Sequence, residues 1–377
     1  MKNKRLLKAF VCVTNDLATD QRVHKSCLAL QQCGFDVLEY GRMLPGSLPL
    51  QRPYRTLRVK HLFNRGPLFY AEYNIRLFLR LFFSRFDLVF ANDLDTLSAA
   101  YIAAKIKNKK IIYDTHEYFT ETPELVGRPR VQKIWKSIER CLLPKLNTII
   151  TVNDSIANLY FQEYGQKLHV IRNIPTIFTS EPLSRKQLGL PEDMKILIIQ
   201  GAGINIDRGA EEACEAMKQL EGFVLLIAGA GDVIPFLKKM VFEQKLEDKI
   251  IFKDKMEHQL LRQYTQVCDL GLAIDKNTNI NYLYSLPNKL FDYLHAGIPV
   301  LSSGLPEIRK IADKYQIGYH LQNHDPQHIA QTIQAIFSDL ALYHMKKENT
   351  LIAARDLNWE SEVKKLLNII RPFANAS

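Results

Sequence analysis

One segment of the sequence combines a helix start with a cation and a carboxylate. Residues 286–301 read LPNKLFDYLHAGIPVL, in which Pro287 and Asn288 are typical of a helix start. Lys289 and Asp292 follow within about one helical turn. Amide groups at a helix N-terminus and a lysine bind phosphate, whereas a carboxylate accepts hydrogen bonds from sugar hydroxyls. The segment therefore predicts a site for a phosphate joined to a sugar. An exposed lysine and a carboxylate that braces its own helix are the structural alternatives.

Two Gly-x-Gly turns offer a second place for a phosphate. Residues 201–203 and 229–231, both Gly-Ala-Gly, each follow an apolar run and precede a helical pattern. Neither turn completes the G-x-G-x-x-G fingerprint and neither is a P-loop, so tight strand-to-helix turns explain the glycines equally well. Arg208 favours the phosphate, because a guanidinium binds phosphate oxygens at two points. An ion pair of Arg208 with Glu211 or Glu212 is the alternative.

These residues must be positioned by parallel sheets. Short apolar runs alternate with helical patterns along the chain, which is typical of βαβ units. A polar, Pro-containing stretch at residues 176–194 separates two such series, so we expect two doubly wound domains with ligands at the carboxyl ends of their strands. The predicted strands are residues 10–13, 35–40, 88–90, 110–113, 148–152 and 170–171 in the first series, and 195–200, 223–228, 250–252, 270–273 and 299–302 in the second.

The ordered series of motifs resembles the family 4 glycosyltransferases of the GT-B fold over almost the whole chain. Residues 286–301 are similar to that family's donor-binding signature, and IIQGAGINIDRGAEEACEAM (198–217) resembles the strand, loop and helix that hold the donor diphosphate. VIRNIP (170–175) resembles the exit from the first domain, and IIYDTHEYFTE (111–121) the loop that carries a histidine. The resemblance implies an α/β GT-B fold, in which two Rossmann-like, doubly wound parallel-sheet domains face a central cleft.

The resemblance also implies that the two domains bind different substrates. Residues 1–178 would bind the acceptor and residues 179–355 the nucleotide sugar, while residues 356–377 would form a helix that returns to the first domain. Family members of this bacterial type transfer a sugar from a nucleotide diphosphate sugar with retention at the anomeric carbon. The nucleotide sugar would be a co-substrate, and we expect neither a cofactor nor a metal ion.

The resemblance also implies roles for individual residues of this sequence. Arg208 matches the basic residue on the donor diphosphate, Asp292 the carboxylate on the donor ribose, and His116 the histidine near the reacting centre. The remaining predicted site residues are Asp20 as a second catalytic residue, Lys289, Asn288, Met256 and Gly203 on the donor side, and Arg22 and Asp93 on the acceptor side.

Structural roles compete with several of these assignments. Asp20 precedes a helical pattern and is a candidate N-cap, and Arg22 could be a solvated helix residue. Asp93 and Asp95 have side chains common in turns, and His116 could be a satisfied structural histidine.

Three positions depart from the family pattern. Tyr284 stands eight residues before Asp292, where the family usually has Glu, and Ala202 stands where a second basic residue is usual. The loop at residues 16–22 lacks the usual glycine pair. Lys289 is the candidate replacement for the missing positive charge.

Composition restricts the class of protein. The chain has 377 residues, of which 47% are hydrophobic, and six cysteines without a C-x-x-C pair, which fits a cytoplasmic protein without a disulfide or zinc framework. Residues 1–180 contain 27 Lys and Arg against 15 Asp and Glu, whereas the remainder contains 23 against 25. The basic first half suits a lipid-linked or glycan acceptor or an anionic membrane surface. Nucleic acid is not expected, because no nucleic-acid-binding motif accompanies the charge.

The region of residues 68–86 predicts an amphipathic helix. Five apolar residues have helical spacing, and Arg76 and Arg80 share another face. Packing of the apolar face on the domain core is one expectation, and contact of the helix with anionic lipid at the inner membrane face is the other. The five apolar residues are Ile75, Phe78, Leu79, Phe82 and Phe83.

The sequence thus predicts a hexosyltransferase that acts on an acceptor hydroxyl in cell-envelope polysaccharide synthesis. A sugar-nucleotide epimerase of the same architecture and an inactive nucleotide-sugar binding protein are the alternatives.

Overall fold

Two units, each built around a parallel β-sheet, make up the structure. A computed structural model describes residues 5–178 and 181–375. The first unit comprises the chain up to Asn173 and again from Glu362, and the second comprises Ile174–Ser361.

The first unit is a seven-stranded parallel sheet in the order β3-β2-β1-β4-β5-β6-β7. The order reverses between β1 and β4, and polar loops gather at the carboxyl ends of strands where it does. Its elements are β1 (Leu7–Asp16), α1 (Gln21–Gln32), β2 (Phe35–Arg42), β3 (Arg55–Val59), α2 (Gly66–Phe83), β4 (Leu88–Asn92), α3 (Leu94–Ile106), β5 (Lys110–Asp114), α4 (Pro123–Val126), α5 (Pro129–Leu142), β6 (Ile149–Thr151), α6 (Asp154–Tyr164) and β7 (His169–Val170).

The second unit is a six-stranded parallel sheet in the order β10-β9-β8-β11-β12-β13, which reverses between β8 and β11. Its elements are β8 (Lys195–Gly201), α7 (Ala210–Ala216), β9 (Phe223–Gly229), α8 (Ile234–Glu243), β10 (Ile250–Lys253), α9 (His258–Gln266), β11 (Leu270–Ala273), α10 (Ile280–Leu283), α11 (Asn288–Ala296), β12 (Val300–Ser302), α12 (Pro306–Tyr315), β13 (Gly318–His320), α13 (Pro326–Ser338) and α14 (Leu340–Asp356). The last helix, α15 (Trp359–Asn375), begins in this unit and continues in the first.

The predicted series of parallel strands is confirmed, and two strands were missed. The structure adds β3 and β13, each of which lies at an edge of its sheet. Both are only partly buried, and β13 is three residues long. Neither therefore has the continuous apolar run by which buried parallel strands are recognised.

The two compact units divide at 173/174 and 361/362; the domain boundaries at 178/179 and 355/356 stay a prediction. Two contacts join the chain segments next to these divisions. Trp359 N donates to Pro175 O at 2.9 Å, and Ile177 N lies 3.3 Å from both side-chain carboxylate oxygens of Glu360. All four residues belong to the second unit.

Helix α2 is present, but of the two expectations for its five named apolar residues, packing on the domain core was wrong. Its buried face consists of Phe69, Tyr73, Leu77 and Leu81, none more than 3% exposed. Four of the five apolar residues predicted to pack inward are exposed, and Phe78 is half-buried. Because α2 is apolar on two faces, its periodicity could not select the inner one.

None of the helices in the described residues is both long and apolar enough to cross a membrane.

Glycines allow the closest backbone approaches beside the sheet of the second unit. A Cβ at Gly231 would lie 1.9 Å from Ile204 O, and a Cβ at Gly229 1.8 Å from Gly201 O. At Gly203, in contrast, the nearest atom would be Asn205 Nδ2 at 3.9 Å. Packing therefore requires two of these glycines and leaves Gly203 open.

Gly231→Ala should destabilise the protein by roughly 1–3 kcal/mol, because the added methyl must displace backbone. Gly203→Ala is the matched control and should change the urea unfolding midpoint little. Equal midpoints for the two variants would contradict the close approach seen at Gly231.

Candidate functional site

Two cations of the second unit meet at one carboxylate. Arg208 Nη1 lies 3.1 Å from Asp275 Oδ1, and Lys289 Nζ lies 3.2 Å from Oδ1 and 3.1 Å from Oδ2. Asp275 is fully buried, whereas 23% of the Arg208 side chain and 9% of the Lys289 side chain are exposed. We call these three residues the Asp275 cluster.

The loop before α7 fixes the position of Arg208. Asp207 has a φ of 68° and Gly209 a φ of 80°. A Cβ at Gly209 would lie 2.3 Å from Ile274 O, so the loop passes directly over the end of β11. The Arg208 guanidinium lies 3.9 Å from the centre of the Tyr282 ring, a cation–π contact that holds it beside Asp275.

Arg208 does not make the ion pair with Glu211 or Glu212 that the sequence left open. It pairs with Asp275 instead, and Glu212 pairs with Lys276. Burial alone would raise the pKa of Asp275, but Lys289 and Arg208 outweigh it and hold that pKa below its ordinary value. The cluster is therefore one carboxylate between two cations, with a net positive charge available to an anion.

Sequence analysis missed Asp275. It lies two residues after β11, beyond the carboxyl end of an inner strand, which is where ligand-binding side chains of parallel sheets gather. A charged residue after the apolar run 270–274 was the signal that could have identified it.

Asp292 lies one turn along α11 from Lys289 and has different neighbours. Its Oδ2 accepts a hydrogen bond from Gln200 Nε2 at 3.1 Å, and its Oδ1 lies 3.6 Å from His258 Nε2. Gln200 is held in turn by Thr265, whose hydroxyl donates to Gln200 Oε1 at 2.6 Å. His258 and Gln200 are thus neighbours that the sequence did not single out.

The other predicted donor-side residues belong to the same unit. Asn288 is the exposed first residue of α11, and no side chain caps that helix start, which leaves its amides oriented toward an incoming group. Met256 is half-buried after β10 and packs against the core of the unit. Gly203 is exposed after β8.

The first unit holds a second charged cluster, in which a histidine lies between two carboxylates. His116 Nδ1 lies 3.2 Å from Asp93 Oδ2, and His116 Nε2 lies 3.6 Å from Asp114 Oδ2. The His116 backbone amide also donates to Asp93 Oδ1 at 3.0 Å. Asp93 follows β4 and Asp114 ends β5, so adjacent strands bring the three residues together.

These carboxylates favour the protonated form of His116. Burial would lower the pKa of His116, but Asp93 and Asp114 outweigh it and raise that pKa well above its ordinary value. An imidazolium donates from both nitrogens and accepts no proton. In this state His116 is no general base, and a hydrogen bond to a substrate oxygen would have to replace one of the contacts that its ring nitrogens make with Asp93, Asn92 or Asp114.

Arg22 is buried rather than solvated. Its Nε and Nη2 donate to the two oxygens of Asp114 at 3.0 and 2.6 Å, and its Nη1 donates to Ile171 O at 2.9 Å. The guanidinium is thereby engaged on three sides. A contact with an acceptor would require one of these bonds to be given up, so the acceptor-side role of Arg22 stays a prediction.

Asp20 and Asp93 show the structural roles that the sequence had left open. Asp20 Oδ1 accepts from Val23 N at 3.0 Å and caps α1, and its Oδ2 accepts from Asn15. Asp93 has φ 59° and ψ 163°, a backbone conformation that costs a non-glycine residue roughly 1–3 kcal/mol. Catalytic contacts of Asp20 and His116, and acceptor contacts of Asp93, stay predictions.

In the described residues, no group of three or more His, Cys, Asp or Glu side chains has the arrangement of a metal site.

Comparison with known proteins identifies the family. Residues 20–174 match the family model described as Glycosyltransferase Family 4, and residues 180–352 match the model described as Glycosyl transferases group 1. The chain belongs to the family 4 glycosyltransferases. Its two parallel-sheet units are the Rossmann-like domains of the GT-B fold.

A curated relative of this chain has low sequence identity. A chitobiosyldiphosphodolichol beta-mannosyltransferase of Candida albicans is 23% identical over 251 residues, covering 60% of this chain and 54% of the relative. The match thus spans about half the length of that relative.

Solved structures share the fold at low identity. A sucrose-phosphate synthase of Thermosynechococcus elongatus has a TM-score of 0.83 at 18% identity, over 98% of this chain and 100% of the other. Anabaena HepE, solved in complex with UDP and glucose, has a TM-score of 0.74 at 15% identity, over 97% and 99% of the two chains. WaaG, described as a glycosyltransferase involved in lipopolysaccharide biosynthesis, has a TM-score of 0.68 at 16% identity, over 96% and 99%.

At neutral pH, His116 should be an imidazolium. Because its pKa is raised, its ion pairs contribute fully to stability below the ordinary histidine pKa of about 6.5, and the contribution is lost as the pH rises through the higher folded value. Nitrogen-15 NMR at pH 7 should show His116 protonated. His24 is the internal contrast, because burial lowers its pKa to about 4.

Asp93→Asn should lower the pKa of His116, because it removes the Coulombic attraction of the Asp93 carboxylate, the largest single effect that raises that pKa. An unchanged His116 titration in that variant would show that Asp93 does not set the charge.

Arg208→Ala should weaken the binding of a nucleoside diphosphate roughly 10- to 150-fold, the equivalent of a charge-assisted hydrogen bond of about 1.5–3 kcal/mol. Binding of the nucleoside should change little, and isothermal titration calorimetry measures both. Arg185→Ala is the matched control, because Arg185 is 22% exposed and pairs with Asp269 before β11 begins. Equal losses of affinity for the nucleoside and its diphosphate would show that Arg208 does not bind the phosphate.

Proposed function

We propose that this protein transfers a hexosyl residue from a nucleotide diphosphate sugar to a hydroxyl of a lipid-linked or polysaccharide acceptor, with retention at the anomeric carbon. The observation that carries the proposal is the Asp275 cluster, which lies beside the start of α11 and within about one turn of Asp292. Family membership supports the reaction class, and a neighbouring fold solved with UDP and glucose supports the class of donor.

The donor diphosphate would bind at the Asp275 cluster. Arg208 and Lys289 share one carboxylate, so a diphosphate meets an excess of positive charge as well as the uncapped amides of α11. As the bond to the sugar breaks, negative charge grows on the diphosphate, and preorganised cations stabilise that charge without rearrangement. Catalysis on the donor side would then be electrostatic and would need no metal ion.

Asp292 would accept hydrogen bonds from the donor ribose. The side chain is only 10% exposed, and its bond from Gln200 orients the carboxylate. A carboxylate is an acceptor only, so it matches a pair of hydroxyl donors.

His116 would donate a hydrogen bond to an oxygen of the sugar or the acceptor. The role follows from its charge, because an imidazolium held by Asp93 and Asp114 is a donor at neutral pH. Such a contact positions the reacting groups instead of moving a proton from them.

The basic first half of the chain suits an anionic acceptor in envelope polysaccharide synthesis at the inner face of the cell membrane. The name of the Candida relative, which describes mannosyl transfer to a diphosphodolichol-linked glycan, supports a lipid-linked acceptor. We therefore propose a cytoplasmic enzyme that works against the membrane.

A panel of nucleoside diphosphates and their sugars tests the proposal. A true donor at 100 times its dissociation constant should stabilise the protein by about 2.7 kcal/mol, which a thermal shift detects. The donor is then incubated with and without a diphosphate-linked lipid acceptor. Release of nucleoside diphosphate only with acceptor supports a transferase, whereas an isomerised donor without acceptor would indicate an epimerase. Proton NMR of the product reports whether the anomeric configuration is retained.

Asp292→Asn should abolish most turnover while the thermal unfolding midpoint stays near that of the wild type. The amide is the same size, but it presents donors where the ribose hydroxyls also donate. Asp254→Asn is the control, because Asp254 is 91% exposed at the end of β10. Near-normal turnover of Asp292→Asn would show that another residue binds the ribose hydroxyls.

A further inference from the structure

Glu139 is a buried carboxyl group that belongs to neither of the charged clusters. It lies on α5 and is 0% exposed. Asp114 and Asp275 are paired with cations, whereas no Lys, Arg or His among the described residues lies at ion-pair distance from Glu139. Burial and the charge of Glu163 raise the pKa of Glu139 to about 7, although hydrogen bonds from its neighbours act in the opposite direction. Glu139 thus gains and loses a proton in the neutral pH range.

Three hydroxyl groups converge on this carboxyl group. Tyr164 Oη donates to Glu139 Oε2 at 2.9 Å, and Thr120 Oγ1 lies 3.4 Å from the same oxygen. Tyr160 Oη lies 3.0 Å from the other oxygen, Oε1. The partner of Oε1 is therefore a single hydroxyl, which can donate or accept a hydrogen bond.

A chain of hydroxyl groups continues from Tyr160 to the backbone around His116. Tyr160 Oη lies 3.4 Å from Thr115 Oγ1, and Thr115 Oγ1 donates to Glu117 O at 2.7 Å. Thr115 and Glu117 are the residues on either side of His116 in the sequence. The chain thus connects a carboxyl group on α5 with residues 115–121, which we call the His116 loop.

The number of hydrogens in this chain depends on Glu139. Three contacts lead from Glu139 Oε1 to Glu117 O, but the two hydroxyls between them supply only two hydrogens. Both hydroxyl side chains are 0% exposed, and the 3.4 Å between their oxygens leaves no room for a water molecule. A proton on Glu139 Oε1 supplies the third hydrogen, because Glu139 then donates to Tyr160 and Tyr160 donates to Thr115. Without that proton, one contact brings two oxygens together with no hydrogen between them.

The far end of the His116 loop is attached to α5 as well. Gln132 Nε2 donates to Thr120 O at 2.9 Å. The Phe119 ring packs edge-on against Trp135, with ring centres 5.3 Å apart. Helix α5 thus holds this end of the loop directly, and the hydroxyl chain is its link to the end that carries His116.

We propose that Glu139 is a positioning residue, whose carboxyl proton completes the hydroxyl chain and so holds His116 in place. Loss of the proton removes the hydrogen bond between Tyr160 and Thr115 and loosens the His116 loop. The contribution of His116 to catalysis rests on the proposed function, but the proton and the hydroxyl chain do not.

The other titratable groups around Glu139 are compatible with a neutral carboxyl. From α6, Glu163 disfavours the ionised form by repulsion, as burial also does. On the loop, Glu121 pairs with Lys136 of α5. The surrounding phenols stay neutral near pH 7 because burial raises the pKa of each; they are Tyr113 of β5, Tyr118 of the loop, and Tyr160 and Tyr164 of α6.

Fluorescence of Trp135 detects the ionisation of Glu139, because the two residues are one helical turn apart on α5. The chain has two tryptophans, so Trp359→Phe leaves Trp135 as the single one. In this background the fluorescence of the full chain should change with a midpoint near pH 7, and Glu139→Gln should remove that transition. Glu39→Gln is the matched control and should retain it. Glu39 is also 0% exposed and burial raises its pKa to about 7, but it lies on β2.

Hydrogen exchange of the His116 loop measures the positioning itself. Between pH 6 and pH 8, protection of the wild-type loop should fall at least about threefold after correction for the intrinsic exchange rate. Glu139→Gln should keep the protection at both pH values, because an amide resembles the protonated carboxyl: it donates to Tyr160 and accepts from Tyr164. Tyr160→Phe keeps the ring but removes the link, so it should lower the protection already at pH 6.

The pH dependence of turnover separates positioning from a purely structural role. A group with a pKa near 7 is about nine-tenths protonated at pH 6 and about one-tenth at pH 8, so kcat of the wild type should fall about tenfold between them. Glu139→Gln should not show this decrease, and its KM for the donor at pH 6 should stay near that of the wild type.

Two results would overturn the proposal: parallel pH profiles of kcat or loop protection for the wild type and Glu139→Gln, or a Trp135 transition that survives Glu139→Gln. A failure of the proposed function has a different signature. No donor would then be turned over at any pH, while the Trp135 transition and the loop protection would still depend on Glu139 and support the hydroxyl chain.

Discussion

A carboxylate buried at the end of a sheet strand keeps its charge only when cations surround it, because desolvation opposes the ionised form. Each unit of this protein contains one such group. Asp275 lies between Arg208 and Lys289 in the second unit, and Asp114 lies between Arg22 and His116 in the first. Both carboxylates are almost fully buried.

The same constraint explains how distant segments are brought to one place. Arg208 comes from the loop before α7 and Lys289 from α11, and they meet because each must neutralise Asp275. Removal of the carboxylate would leave two cations together in a partly buried position, which costs more than one lost hydrogen bond. Charge balance therefore organises the site, and it leaves a surplus of positive charge for a ligand.

The backbone beside both buried carboxylates has unusual conformations or close contacts. Asp93 adopts a conformation that is usual only for glycine, and it is held there by bonds to the His116 amide and from its own amide to Asp114 O. In the second unit, Gly209 lets the Arg208 loop pass over the end of β11. The backbone at both sites is thus adapted to bring charged groups together, at some expense in conformational energy.

The sequence alone determined the class of fold and most of the strands, because buried parallel strands need continuous apolar runs and glycine or polar residues to end them. It also singled out Arg208, Lys289 and Asp292 as candidate donor-side residues, since cations and carboxylates at helix starts have few chemical uses. It could not determine which face of α2 is buried, because both are apolar and only the bonds of Tyr73 and Asn74 select one. Nor could it reveal Asp275 as the partner of two cations far apart in the chain, or the protonated state of His116. Ion pairing and burial depend on distances that exist only after the strands have assembled, and so the tertiary structure alone decided them.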